Sequence, residues 1–209
     1  MILVDEDKFS DINDAALLEP MKAVYGNAPV WIGGHYPRAS CAEFTTYARH
    51  NADPYRIYRD FIRDSAEHDG RVLDIGSASG AQSMLLARDF SEVVGVESDN
   101  ARLEFARKYN SAQNIKYVNG RFPVDGIGTF DYIFCVSVLY QNSGGKDIVM
   151  KAYDALKPGG SLFIYNPDTT DTDIATWGLN ATRLVGEFDT CPNGRFVIVK
   201  QGASRIGAD

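Results

Sequence analysis

The chain has 209 residues, of which 44% are hydrophobic and 23% charged, enough apolar material for one soluble globular domain with an appendage. Its net charge of -7 argues against a broad nucleic-acid or anionic-membrane partner, since phosphates attract the opposite sign. Cys41, Cys135 and Cys191 form no CxxC pair, and His35, His50 and His68 lack metal-ligand spacing, so no metal site is expected.

In chain order, the opening "MILVDEDKF" sets acids directly behind a short apolar run, the wrong order for a signal peptide. No apolar run approaches membrane-spanning length, and with unpaired thiols this points to a cytoplasmic protein. The first twenty residues carry six acids and one lysine and are expected to order only by docking. Asp53 and Pro54 suit the N-cap and first turn of a helix through "YRIYRDFIRDSAEH", with Tyr58, Phe61 and Ile62 on one side. "HDG" ends it, which places a boundary near residue 70: a helical cap over 1–70 and a core over 71–209.

From Arg71 short β-branched runs alternate with helical segments. "RVLDI" is a strand, "AQSMLLARDF" a helix and "EVVGVE" a second strand. "DNARLEFARKYN" is a helix with Asp99 as N-cap, followed by strands "IKYV" and "FDYIFCVSV". "KDIVMKAYDAL" is a helix stopped by "KPGG", a turn before the strand "SLFIYN". This alternation predicts an α/β fold, a doubly wound and mostly parallel sheet. "RLVGEF" and "RFVIVK", separated by the turn-forming "DTCPNG", are expected to add an antiparallel pair.

The candidate ligand site is the turn after the first strand, Gly76, Ser77, Ala78, Ser79 and Gly80. Ligands of open α/β sheets bind beyond the carboxyl ends of the strands, and glycine lets backbone approach them closely. A nicotinamide fingerprint started at Gly76 meets Ala78 and Ala81 where glycines belong, and a Walker A ending is absent. Asp74 would repel a pyrophosphate but favour a cationic ligand such as S-adenosylmethionine, which carries an ammonium and a sulfonium.

"DIGSASG" resembles the first motif of the class I S-adenosylmethionine-dependent methyltransferases, D/E-x-G-x-G-x-G, matching at Asp74, Gly76 and Gly80 and departing at Ala78. Glu97 follows Gly80 by 17 residues at the end of the second strand, where an acid can accept from both ribose hydroxyls. "TFDYIF" resembles the family's fourth-strand entry, with Asp131 read as structural, and "LKPGGSLFI" its turn into the fifth strand. The resemblance covers Arg71 to about Lys200. It implies S-adenosylmethionine held by Asp74, Gly76, Ser77, Ala78, Gly80 and Glu97, with Arg121, Phe122 and Cys135 as further contacts.

Two departures from the pattern bear on mechanism. Arg121 stands where the family often has an acid near the adenine amino group, and a guanidinium cannot accept a hydrogen bond, so backbone, Phe122 or Asn119 would have to hold the base. Tyr140 and Gln141 occupy the neighbourhood where many relatives have a histidine near the methyl group, and an amide cannot serve as a base. Methyl transfer needs alignment more than a base. If a proton must leave, His35 in "WIGGHYPR" is the candidate, with Tyr140 the second residue expected near the reacting groups. The aromatics Trp31, Tyr36, Tyr47, Tyr55 and Tyr58 either line an acceptor pocket or pack the cap onto the core.

The expected activity is methyl transfer to an acceptor by in-line displacement, with a small molecule favoured because so small a cap suits one. A non-catalytic S-adenosylmethionine-binding module, a protein methyltransferase and a nicotinamide-dependent oxidoreductase are the alternatives.

Overall fold

A computed structural model describes residues 69–136, 138–139, 145–166, 169–184 and 194–201. Residues 1–68 of the expected cap, His35 among them, together with Tyr140, Gln141 and the turn "DTCPNG" up to Asn193, lie outside the described residues.

The chain runs β1 (Arg71–Ile75), α1 (Ala81–Leu86), β2 (Glu92–Glu97), α2 (Asn100–Tyr109), β3 (Ile115–Asn119), β4 (Phe130–Val136), α3 (Gly145–Ala155), β5 (Leu156–Tyr165), α4 (Asp171–Thr176), β6 (Thr182–Arg183) and β7 (Arg195–Val199). The strands form one sheet of order β3-β2-β1-β4-β5-β7-β6. All neighbours from β3 to β5 are parallel, whereas β7 runs antiparallel to both β5 and β6. This is the expected doubly wound sheet with its antiparallel end. The strand order reverses between β1 and β4, which opens the ligand crevice of such sheets at the carboxyl end of β1.

Alternation along each strand divides the core in two. Val72, Val93, Phe134, Val136, Phe163 and Tyr165 belong to one apolar cluster, which Leu86 of α1 joins. Leu73, Val94, Val96, Ile133, Cys135, Leu162 and Ile164 belong to the other, with Val149 and Ala152 of α3 and Ile174 of α4. Strands that are apolar on both faces must be covered on both, as the sequence pattern required.

The short element α4 was not anticipated. Its start carries a reciprocal cap, in which Thr170 accepts from the Asp173 N–H while the Asp173 carboxylate accepts from the Thr170 N–H. The expected turn "KPGG" also takes a different form, because the strand runs through it. Phe130 pairs with Leu156 and Tyr132 with Ser161, so residues 157–160 bulge opposite Asp131 alone. Gly159 takes the left-handed conformation (φ +85°) within that bulge. Partial burial disfavours the Asp131 carboxylate, but hydrogen bonds from Lys157 Nζ (2.7 Å) and the Arg71 N–H (2.8 Å) outweigh it and hold the group below its usual range. Asp131 is thus the structural residue the sequence suggested, fastening β1 to the bulge.

Candidate functional site

Between β1 and α1 the backbone turns through three left-handed residues: Gly76 (φ +71°), Ala78 (φ +47°) and Gly80 (φ +84°). A Cβ on Gly76 would collide with the Val138 side chain, and one on Gly80 with the Tyr117 hydroxyl and the Ala106 methyl, so these two positions are closed to larger residues. Ala78 departs from the motif in side chain but keeps the conformation a glycine would adopt. Left-handed backbone costs an alanine roughly 1–2 kcal/mol, while glycine loses about 0.4–1 kcal/mol more chain entropy on folding. Ala78→Gly is therefore expected to leave stability within about 1 kcal/mol of the native chain, measured by urea unfolding. A loss above about 2 kcal/mol would show that the Ala78 methyl carries packing.

The turn is held from several sides. The N–H groups of Gly76 and Ser77 both donate to the Val96 carbonyl, at 2.8 and 3.0 Å. Ala78 N–H donates to Glu97 Oε2 at 3.0 Å, while Asp99 N–H donates to Oε1 at 2.8 Å. Glu97, only 7% exposed, is fixed by the two turns that it joins; the Ser98 hydroxyl adds a long hydrogen bond to Oε1 (3.4 Å), so the lone pair left over lies on Oε2. From below, Asn110 Nδ2 donates to the Ser79 carbonyl (2.8 Å), and the Tyr117 hydroxyl donates to the Asn110 carbonyl (2.5 Å).

Asp74 lies one strand-step before the turn and is 2% exposed. Ser83 Oγ donates to its Oδ2 at 2.6 Å and Gln82 Nε2 to its Oδ1 at 3.1 Å, so α1 is tied to β1 through this carboxyl. Burial raises its pKa to about 7, the Ser83 hydrogen bond opposes this, and the nearby Glu97 charge adds to it. Register sets the surroundings. Asp74 pairs with Gly95, which pairs with Tyr117, so the three stand in one row across the sheet. Gly95 has room for no side chain, since a Cβ there would come within 2.8 Å of the Tyr117 ring and 3.0 Å of Ser77 Oγ. Burial, and then the Asp74 charge, push the Tyr117 phenol up as well.

Ser77 and Ser79 have buried hydroxyl oxygens without a hydrogen-bond partner. Two such groups in a turn whose Gly76, Ser77, Ala78 and Gly80 N–H groups are already bonded to the protein fit a site whose hydrogen bonds are completed by a ligand.

The structure thus brings Asp74, Gly76, Ser77, Ala78, Gly80 and Glu97 together. The other expected contacts differ. Cys135 is wholly buried on the opposite face of the sheet, among Ile75, Ile133 and Ile164, and burial pushes its thiol up. A thiol so enclosed cannot reach a ligand, because alternation along β4 turns it into the core. Phe122 packs into the same cluster as Val118, Val124 and Ile127, leaving little of its ring accessible, whereas Arg121 is exposed. Asn119 is exposed too and donates to Asn100 Oδ1 at 3.2 Å. Sequence reasoning missed Gln82, Ser83, Asn110 and Tyr117, although a glycine inside the strand "EVVGVE" signals that something packs closely over it.

Residues 72–160 match the methyltransferase domain family. That stretch of the core is similar to methyltransferase domains and has the sheet order that the sequence resemblance implies. The chain is 28% identical over 120 residues to a ubiquinone biosynthesis O-methyltransferase of Hahella chejuensis, covering 54% of this chain and 50% of that protein. The chain spans about half the length of the relatives it matches. Among solved structures, magnesium protoporphyrin IX methyltransferase of Synechocystis shares the fold at a TM-score of 0.59 and 15% identity, over 94% of this chain and 96% of that one. A methyltransferase of Pyrococcus furiosus does so at 0.57 and 22%, over 72% and 83%.

Proposed function

We propose that the chain binds S-adenosylmethionine across the turn between Asp74 and Gly80 and passes its methyl group to a small-molecule acceptor, releasing S-adenosylhomocysteine. The observation that carries this reading is Glu97: a buried carboxylate braced by the Ala78 and Asp99 N–H groups, with a lone pair on Oε2, and on Oε1 only a long Ser98 contact for a second diol hydroxyl to displace. Ser77, with its unpartnered hydroxyl, and the backbone of Ala78 and Gly80 complete the cradle. When bound, the cofactor supplies an electrophilic methyl on a sulfonium. The chain's own contribution is to fix the ribose through Glu97, to hold the turn at close approach and to place negative charge at Asp74. Arg121 offers adenine no acceptor, so main chain around Gly120 and Arg121 is left to hold the base.

The acceptor is a hydroxyl-bearing small molecule in this reading, a choice supported by the O-methyltransferase names of the relatives. In this reading the acceptor side is assigned to residues 1–70, apart from the core of residues 71–209, with His35 and Tyr140 the candidates to act on the acceptor. Among the described residues no helix is long and apolar enough to cross a membrane, and the cytoplasmic reading rests on the unpaired cysteines of the sequence.

S-adenosylhomocysteine is expected to raise the melting temperature, since a ligand present at 100 times its Kd stabilises the folded state by about 2.7 kcal/mol. NAD and ATP at the same concentration should give no comparable shift. A larger shift with NAD would overturn the reading. Transfer of labelled methyl into small hydroxyl compounds separates an enzyme from a mere binding module.

A further inference from the structure

The Asp74 carboxyl has a setting unlike that of Glu97. Glu97 receives two main-chain N–H groups, whereas among the described residues Asp74 receives only the neutral side chains of Ser83 and Gln82. The groups that act on it come from every neighbouring element. Among the described residues, Gln82 and Ser83 face it from α1, Glu97 from β2 and Tyr117 from β3, while its partner on β4 is the apolar Phe134 and the neutral Cys135 thiol lies across the sheet. None of these carries a positive charge, and one carries a negative charge. The row Asp74–Gly95–Tyr117 seals the carboxyl under the turn, leaving it 2% exposed. Among the described residues no cation stands beside this buried carboxyl, which is the arrangement that a cationic ligand would complete.

S-adenosylmethionine has a net charge of +1, from an ammonium, a carboxylate and a sulfonium, while the demethylated product lacks the sulfonium and is neutral overall. Resting on the reading that the turn takes this cofactor, we infer that Asp74 gives up a proton to solvent when the sulfonium form binds and keeps that proton with the neutral product. The pocket thereby tells methyl donor from product by charge. In balanced form, the protein with neutral Asp74 plus the cation yields the protein with anionic Asp74 and bound cation, plus one proton. Binding the product involves no such exchange. With the carboxyl titrating at about 7, the discrimination operates in the neutral range. Donor affinity rises with pH up to that point and levels off above it, while product affinity stays level.

Calorimetry tests this on the full chain, with S-adenosylmethionine and S-adenosylhomocysteine titrated at pH 7 in buffers of different ionisation enthalpy. About half a proton should be released per donor molecule bound, and close to none per product. Asp74→Asn should abolish the difference and flatten the donor-to-product affinity ratio between pH 6 and 8. Ser83→Ala removes a hydrogen bond that favours the anion, so the midpoint of proton release should move to higher pH; this second variant serves where Asp74→Asn folds poorly. Equal proton release for the two ligands, or release unchanged in Asp74→Asn, would overturn the inference while leaving cofactor binding intact. Failure of both ligands to bind the native chain would instead sink the cofactor reading, and this inference with it.

Discussion

Glu97→Ala is expected to lower affinity for S-adenosylhomocysteine at least a hundredfold while the protein stays folded. Two losses combine in that single change. The ribose hydroxyls lose a charged acceptor, and hydrogen bonds to charged groups contribute about 1.5–3 kcal/mol each. The Ala78 N–H, now held at 3.0 Å by Oε2, loses the partner that fixes the turn in its left-handed form. About 3 kcal/mol already corresponds to more than a hundredfold. Glu97→Gln should recover only part of the affinity, because an amide keeps one acceptor and would turn its NH2 group toward either the Ala78 or the Asp99 N–H. Calorimetry with the product avoids any need to know the acceptor. An alanine variant that binds within threefold of the native chain would reduce Glu97 to a brace for the turn.

What the sequence disclosed depends on the range over which each signal acts. "RVLDI" and "EVVGVE" occupy β1 and β2 to the residue, because a buried parallel strand must be apolar on both faces and needs no partner to be recognised. Asp99 caps α2 as expected, accepting from the Ala101 and Arg102 N–H groups, since capping is chemistry within four residues. The same local rule marked α4 through Thr170 and Asp173, a signal that was present but too short to stand out. "KPGG" was legible as a break but not as a bulge inside a strand, because that depends on Asp131 being gripped from across the sheet.

The site divides in the same way. Asp74, Gly76, Gly80 and Glu97 form a motif fixed by chain spacing, and they meet as expected. Ser83 and Tyr117 do not belong to any such spacing. Ser83 reaches Asp74 only because α1 docks back against β1, and Tyr117 stands over Gly95 only through the β2–β3 register. Cys135 was misplaced for a related reason: its nearness in sequence to the end of β4 said nothing about which face it would take, and it takes the core.

The pH dependence of Asp74 gives the other large effect, this time on the ligand-free protein. Asp74→Asn should raise stability at pH 8 by roughly 2–4 kcal/mol, equivalent to about 5–15 °C in Tm for a chain of this length. The sign comes from the two states of the carboxyl. Below about pH 4 it is protonated in both folded and unfolded chains, and native and variant proteins should be alike. As pH rises from there the unfolded chain ionises, while the folded chain holds its proton up to about 7. The folded state thus binds more protons, and the native protein loses stability across that window before levelling off above it. An asparagine escapes the loss, since its carbonyl can still accept from Gln82 and its NH2 group can donate to Ser83 Oγ. Other carboxylates titrate in the same range but do so in both proteins, so the difference between their melting curves from pH 4.5 to 8 isolates Asp74. If the curves run parallel across the window, the buried carboxyl is ionised and compensated at neutral pH. If they diverge as described while the variant binds S-adenosylmethionine less well, Asp74 has been retained at a cost to stability because the site needs its charge.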